Sequence, residues 1–167
     1  MSRYFKLAPM SPLIRGLTIA LWALPLFFGI FALVSRQLIA GIVFLFLITL
    51  YGVVWLWCRP SCFVVYRNYV EIVFPGRRRK IPMQDVSSIR IISNDAFQQE
   101  FGWAMRIGVG GLWGGFGWLW TYRRGFLEFY ISQLDNFVLI ERVTEKSVLI
   151  TPENPEQLVE AVEEAIA

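Results

Sequence analysis

Two apolar stretches near the start of the chain, residues 16–35 and 37–58, constrain the fold more than any other feature. Neither contains a charged residue, and only Arg36 separates them. As an α-helix each is about 30 Å long, which is the thickness of the hydrocarbon core of a bilayer. One continuous helix would be about twice that length, so we expect a turn at Arg36 and a transmembrane helical hairpin. The alternatives are a buried hairpin of a soluble protein and, for the first stretch, a signal peptide.

Basic residues flank the hairpin at its open end. They are Arg3, Lys6 and Arg15 before it, and Arg59, Arg67, Arg77, Arg78, Arg79 and Lys80 after it. The tip carries only Arg36, and cytoplasmic flanks collect Lys and Arg, so we predict that both termini are cytoplasmic. The predicted organisation is a cytoplasmic N-terminal segment (1–15), the hairpin (16–58) and a cytoplasmic domain (59–167) of an integral membrane protein with two spans.

The remaining chain is the size of one domain, and its pattern is mostly that of short β-strands. Runs of β-branched and aromatic residues, separated by turn residues, predict about seven strands at 63–66, 69–74, 78–81, 86–93, 126–132, 137–142 and 147–150. The period then changes to that of an amphipathic helix, with Asn154 as the N-cap and Pro155 at the first helical position. These observations predict an α+β domain that ends in one helix.

Three motifs occur in this region, a basic-Ile-Pro segment, a glycine-rich stretch and a Pro-Glu-rich ending: Arg79-Lys80-Ile81-Pro82 with Asp85-Val86 and Ile89, Gly114-Gly115-Phe116-Gly117, and Thr151-Pro152-Glu153-Asn154-Pro155-Glu156. Together they resemble the motifs of the membrane-anchored bacterial PH (pleckstrin-homology-like) domain proteins. Thr151 and Asn154 depart conservatively from the Ser-Pro-Glu-Asp-Pro pattern of the family. The resemblance covers roughly residues 62–165 and implies a PH-like β-barrel closed by the C-terminal helix. Its motifs are structural, so it supports a fold rather than an activity.

The composition argues against catalysis. The chain has no histidine, which removes the commonest general base and excludes Ser-His and Cys-His nucleophile pairs. Asp85, Asp95 and Glu100 are isolated acids, and the C-x3-C spacing of Cys58 and Cys62 is not that of a metal or redox dithiol. The glycines match neither a dinucleotide nor a P-loop motif. We therefore expect no enzyme activity, no catalytic residue, no cofactor and no metal site.

Residues 107–122 form sixteen uncharged positions with six glycines. One interpretation is a loop or β-hairpin that dips into the membrane interface, where Trp and Tyr favour the headgroup level. Its interfacial residues would be Trp113, Trp118, Trp120 and Tyr122. The other interpretation is a pair of edge strands around a glycine-rich turn, with the tryptophans packed inside the barrel or on the helical hairpin.

Charge is divided along the domain and supports two hypotheses of function. Residues 59–124 carry ten Lys/Arg and four Asp/Glu, a net of +6, whereas residues 125–167 carry two and nine, a net of −7. Anionic lipid attracts such a basic half, which predicts a headgroup site formed by Arg77, Arg78, Arg79, Lys80, Arg123 and Arg124. The other hypothesis is an interaction or assembly module whose sheet edge or concave face docks another membrane protein. We prefer docking because the hairpin already supplies attachment. Membrane lipids and a membrane protein are the expected partners, and nucleic acid is not expected.

Overall fold

The computed structural model of the chain describes residues 2–166. The strands are β1 (Arg3–Lys6), β2 (Cys62–Val65), β3 (Tyr69–Val73), β4 (Arg78–Pro82), β5 (Val86–Ile92), β6 (Ala104–Gly110), β7 (Gly115–Thr121), β8 (Gly125–Ile131), β9 (Phe137–Arg142) and β10 (Val148–Ile150). The helices are α1 (Pro12–Ser35), α2 (Leu38–Val53), α3 (Asn94–Phe101) and α4 (Pro155–Ile166). A π-helical turn, Val54–Cys58, continues α2, and a 3-10 turn, Met83–Asp85, precedes β5.

Helices α1 and α2 form the predicted hairpin. The Ser11 side chain caps α1, and Arg36 ends it in the left-handed conformation that reverses the chain. Both helices are long and apolar enough to cross a membrane, and only 11% and 17% of their most apolar windows are buried by the rest of the protein. A core helix of a soluble protein would be covered far more completely, so these helices indicate association with a membrane.

The strands form two antiparallel-based sheets. The first has the order β1-β2-β3-β4 and the second β5-β9-β10-β8-β7-β6, in which only β10 and β8 run parallel. Strand β1 precedes the first span in sequence but pairs with β2, which follows the second. The segment before the hairpin and the domain after it therefore lie on the same side of the spans.

Two apolar cores hold the domain together. The larger lies between the sheets and includes Phe63, Ile72 and Ile140, with Leu158 and Val162 of α4 packed across it. The smaller lies on the other face of the second sheet, where Phe97 and Phe101 of α3 pack against it. The second sheet contributes to both cores, because alternate residues of its strands point to opposite faces.

The domain has ten strands, not the predicted seven or so. All seven predicted strands are present, and the C-terminal helix begins at Pro155 as expected. The additional strands are β1, which lies outside the predicted domain, and the glycine-rich pair β6 and β7, which fall where the sequence left open a loop or hairpin at the membrane interface or a pair of edge strands. Helix α3 was not predicted, because its eight residues carry only two buried side chains.

Candidate functional site

The turn between β6 and β7 packs against the helical hairpin. Within this turn the Gly111 N–H donates to the Gly114 carbonyl over 2.9 Å. The Trp113 N–H donates to the Thr18 hydroxyl of α1 over 3.0 Å, and that hydroxyl lies 2.8 Å from the Gly111 carbonyl oxygen. Leu112 is buried at the same contact. The turn is therefore fastened to the first span through backbone groups that a flexible loop would leave to water.

Trp113 lies in an aromatic cluster at the level of both spans. Its ring centroid is 4.8 Å from that of Trp55 and 6.3 Å from those of Trp22 and Tyr51. Its backbone is in the left-handed region, with φ of 59°, a conformation that is strained for a bulky residue. Trp22 follows Arg15 by seven residues, or about 10 Å of helix. The tip of the β6–β7 hairpin therefore lies alongside the spans, further along them than the basic residues that flank the hairpin of α1 and α2.

An apolar surface lies uncovered on the inner side of the second sheet. Val109 and Phe116, close to the turn, belong to the core between the sheets. Further along the same face the first sheet no longer covers the strands, and four large side chains are 40–45% exposed: Met105, Ile107, Trp118 and Phe126. We call these four residues the open face. Lys146 lies over it, 4.1 Å from the ring centroid of Trp118.

The open face adjoins a free sheet edge. Strand β6 is the last strand of its sheet and pairs only with β7. One row of its backbone N–H and C=O groups therefore has no partner strand among residues 2–166. Edges of this kind are usually blunted or covered, because they can template pairing with another strand. Here Gly108, at φ of 147°, lies opposite Gly117, at φ of 134°. This pair admits a backbone that other residues rarely adopt.

Two of the predicted lipid-binding residues lie at the end of the second span. The Gly76 N–H donates to the Leu56 carbonyl over 2.8 Å, which places the turn between β3 and β4 against the π-helical turn. Arg77 Nε donates to the Trp57 carbonyl over 3.0 Å, and Arg78 is exposed, 3.8 Å from Glu71.

The other four predicted residues are engaged elsewhere. Arg79 pairs with Glu128, and its other guanidinium nitrogen lies 3.6 Å from Glu145. Lys80 stacks over Tyr69, and Arg123 donates to the Gln99 carbonyl. Arg124 pairs with both Glu100 and Glu141, over 2.6 and 2.8 Å. The structure therefore does not bring these six residues together into one basic patch.

Ion pairs join the basic half of the domain (residues 59–124) to the acidic half (residues 125–167), so that many of their opposite charges balance each other in the folded protein. Arg79 and Arg124 of the basic half pair with glutamates of the acidic half, and Arg142 of the acidic half pairs with Asp85 of the basic half over 2.6 Å. A hydrogen bond from Arg90 and the charges of Arg90 and Arg124 lower the pKa of Glu100. Glu100 is therefore ionised at neutral pH and holds these guanidinium groups at the protein surface.

Comparison with known proteins decides the family. A model of the bacterial PH domain matches residues 62–166, which is more than half of the chain. The chain belongs to the bacterial PH domain family. No curated protein and no solved structure matches it. Domains of this family are in general interaction modules without catalytic activity, and the described residues contain no cluster of three or more Cys, Asp or Glu able to hold a metal ion.

The four predicted interfacial aromatic residues of this PH domain lie at different distances from the spans. Trp113 contacts the helices directly. Trp118 and Trp120 follow along β7, and Tyr122 lies beyond its end, about 23 Å from Gly115 at the start of the strand, at 3.3 Å per strand residue. Trp120 packs against Trp103, and Tyr122 is exposed. The structure therefore brings Trp113 alone to the helices, and contact of the four with lipid stays a prediction.

The sequence analysis counted Arg59, the first residue after the π-helical turn, only among the basic residues that flank the hairpin. Its guanidinium lies 4.3 Å from the ring centroid of Trp55. Its buried Nε atom has no hydrogen-bond partner among the described residues. Burial lowers the pKa of this group from its usual value, but an arginine stays charged. The sequence feature that could have identified Arg59 is its position, directly after an apolar stretch of membrane-spanning length.

Proposed function

We propose that this protein is a non-catalytic, membrane-anchored PH module that docks another membrane protein. The observation that supports the proposal is the open face, which lies beside the unpaired edge of β6. Aromatic residues and Met are enriched at protein interfaces, and an extended segment added to a sheet edge gains main-chain hydrogen bonds. The open face can supply contacts for alternate side chains of such a segment.

The geometry favours a different protein over a second copy of this chain. Strand β6 has its Gly110 end at the spans and its Ala104 end about 20 Å away at 3.3 Å per residue. An antiparallel pair of β6 strands would place the two helical hairpins at opposite ends, so both could not enter one bilayer. In a parallel pair related by a two-fold axis, each residue of one β6 would lie opposite the same residue of the other. The slanted hydrogen bonds of a parallel ladder need an offset between the two strands, so this symmetric pair does not form one. The proposed occupant is an extended segment of another membrane protein.

A photo-crosslinking amino acid at Ile107 tests this proposal in intact membranes. We expect a discrete adduct with an integral membrane protein. The yield of this adduct should fall when the substitution Met105→Asp is added to weaken the open face. Val143 is exposed but lies outside the open face, so the same crosslinker at position 143 is the matched control. Adducts with copies of the chain alone, or equal adducts at both positions, would reject the docking surface.

A specific observation also supports anionic-lipid binding as a second candidate function. Arg59, Arg77 and Arg78 lie at the end of the second span, and the buried Nε of Arg59 has no hydrogen-bond partner among residues 2–166. Basic residues at this level attract anionic headgroups by about 1 kcal/mol each. This smaller group shares only Arg77 and Arg78 with the predicted site.

The lipid candidate is tested on the full chain in nanodiscs that contain phosphatidylglycerol and phosphatidylcholine. We expect the annulus to be enriched in phosphatidylglycerol at low salt, and the enrichment to fall with added salt or with the Arg77→Glu/Arg78→Glu pair. Arg123→Glu, which lies at the far end of β7, is the control and should change little. Enrichment that is independent of salt and of both changes would exclude headgroup binding by these residues.

A further inference from the structure

A cleft of about 480 Å³ lies between α3 and the outer face of the second sheet. Its floor is made of buried apolar side chains: Phe97, Leu119, Phe129, Ile131, Phe137 and Leu149. Its rim includes Trp103 and the polar residues Gln98 and Arg106. The volume falls within the range of small-molecule sites, which are typically apolar with a few polar groups at the edge. The cleft is on the opposite side of the sheet from the open face.

One end of this cleft carries positive charge without a matching acid. Arg106 makes no hydrogen bond or ion pair with any residue between Ser2 and Ile166. By contrast, Arg90 and Arg124 of the same domain share the Glu100 carboxylate. Arg123 is bound at the same end, through the Gln99 carbonyl. An arginine guanidinium is the side chain best suited to bind a carboxylate or phosphate through two hydrogen bonds.

The other end of the cleft lies near the start of the first span. Ile131 and Phe137 form this end, and Ser132, which follows Ile131, accepts the Ser11 N–H at the cap of α1 over 3.0 Å. Leu119 is opposite Leu127 in the sheet, four residues along β8 from Ile131, or about 13 Å. The apolar floor therefore extends from the membrane end of the domain to Arg106.

We infer that this cleft binds a single-chain amphiphile with an anionic head. The acyl chain lies on the apolar floor, and a carboxylate or phosphate oxygen accepts hydrogen bonds from Arg106. The anchor keeps the cleft at the bilayer surface, where such molecules are concentrated. A fatty acid and a lysophospholipid share this chemistry. The inference is independent of the docking proposal, because it concerns the other face of the sheet.

Photo-labelling of the full chain in phosphatidylcholine nanodiscs tests the inference. The probes are palmitic acid and lysophosphatidic acid, each with a diazirine in the acyl chain, and mass spectrometry locates the labelled residues. We expect labels on the floor residues from at least one probe, and the probe that labels them identifies the head. Labels on α1 and α2 report the probe dissolved in the bilayer and serve as the internal reference.

Two variants and a matched control make the test specific to the cleft. Ala104→Phe fills the cleft and should lower floor labelling about tenfold, whereas Met105→Phe, the next residue on the opposite face, should leave it unchanged. Arg106→Gln removes the charge of an exposed residue and should lower labelling several-fold. Near-ultraviolet circular dichroism checks that each variant is folded. If Ala104→Phe does not fold, Arg106→Gln and the labelled positions still decide.

Three results would overturn the inference. The first is the absence of floor labels with both probes while the spans are labelled. The second is equal floor labelling in the native protein and in Arg106→Gln, which would show that Arg106 does not bind an anionic head. The third is protein adducts, in place of lipid adducts, from a photo-crosslinking amino acid at Gln98, which would assign the cleft to a polypeptide.

Discussion

Replacing Trp113 tests whether the β6–β7 turn fastens the PH domain to the spans. Aromatic pairs contribute about 0.5–1.5 kcal/mol each. Loss of the contacts with Trp22, Tyr51 and Trp55 in Trp113→Ala should therefore cost roughly 1.5–4.5 kcal/mol.

Trp113→Gly should be less harmful than Trp113→Ala, although glycine is the smaller residue. Both lose the aromatic contacts, but only glycine relieves the strain of the left-handed backbone, which costs other residues about 1–2 kcal/mol. The greater freedom of glycine in the unfolded chain offsets about 0.4–1 kcal/mol of that gain. We expect Gly to exceed Ala in stability by roughly 0.5–1 kcal/mol.

The measurement is hydrogen exchange and thermal unfolding of the full chain in one detergent. Exchange at the Trp113 amide, which donates to Thr18, should increase in both variants, and the unfolding temperature should follow the order Trp, Gly, Ala. Trp57→Ala is the control, because the Trp57 side chain is exposed and outside the cluster. The reasoning is refuted if Trp113→Ala matches this control or is more stable than Trp113→Gly.

Three further predictions concern topology, acid stability and the glycine pair. Reporters fused after Met10 and after the C-terminus should both be cytoplasmic; opposite sides would contradict the pairing of β1 with β2. Hydrogen bonds from Thr144 and Arg142 lower the pKa of Asp85, so its stabilisation should be present above about pH 4 and lost as pH falls through the lowered value. Asp85→Asn should therefore destabilise the protein at neutral pH and flatten its acid unfolding curve, and an unchanged curve would exclude this role. Gly108→Ala should destabilise, since its Cβ would collide with a backbone carbonyl, whereas Gly110→Ala meets open space and is the control in the same melts.

The features that the sequence predicted correctly have local causes. Residues 16–35 and 37–58 are apolar without interruption, and the left-handed residue at Arg36 lies where the two stretches meet. Alternation and turn residues located seven strands, and Asn154 with Pro155 located the start of the last helix. Each of these signals lies within about twenty residues of chain, where periodicity and capping are informative.

The features that it missed depend on distant contacts. Strand β1 has four residues and is held by β2, across the whole hairpin. Arg79 pairs with Glu128 only because β4 and β8 face each other across the sandwich. The division of charge along the sequence therefore overstated the basic surface. Helix α3 did leave a local signal, the Ser93 cap followed by Phe97 and Phe101. Two aromatic residues spaced by one helical turn are too few to distinguish a helix from the end of a strand.

The way in which the PH domain is attached bears on its partner. A domain on a flexible linker samples many orientations, whereas this one is joined to the hairpin at several places: through β1, through the bond between Gly76 and Leu56, and through Trp113 and Thr18. Strand β6 therefore presents its edge at a fixed height beside the first span. A partner that is itself held in the bilayer would meet this edge at high effective concentration. This geometry favours docking to a membrane protein over capture of a freely diffusing one.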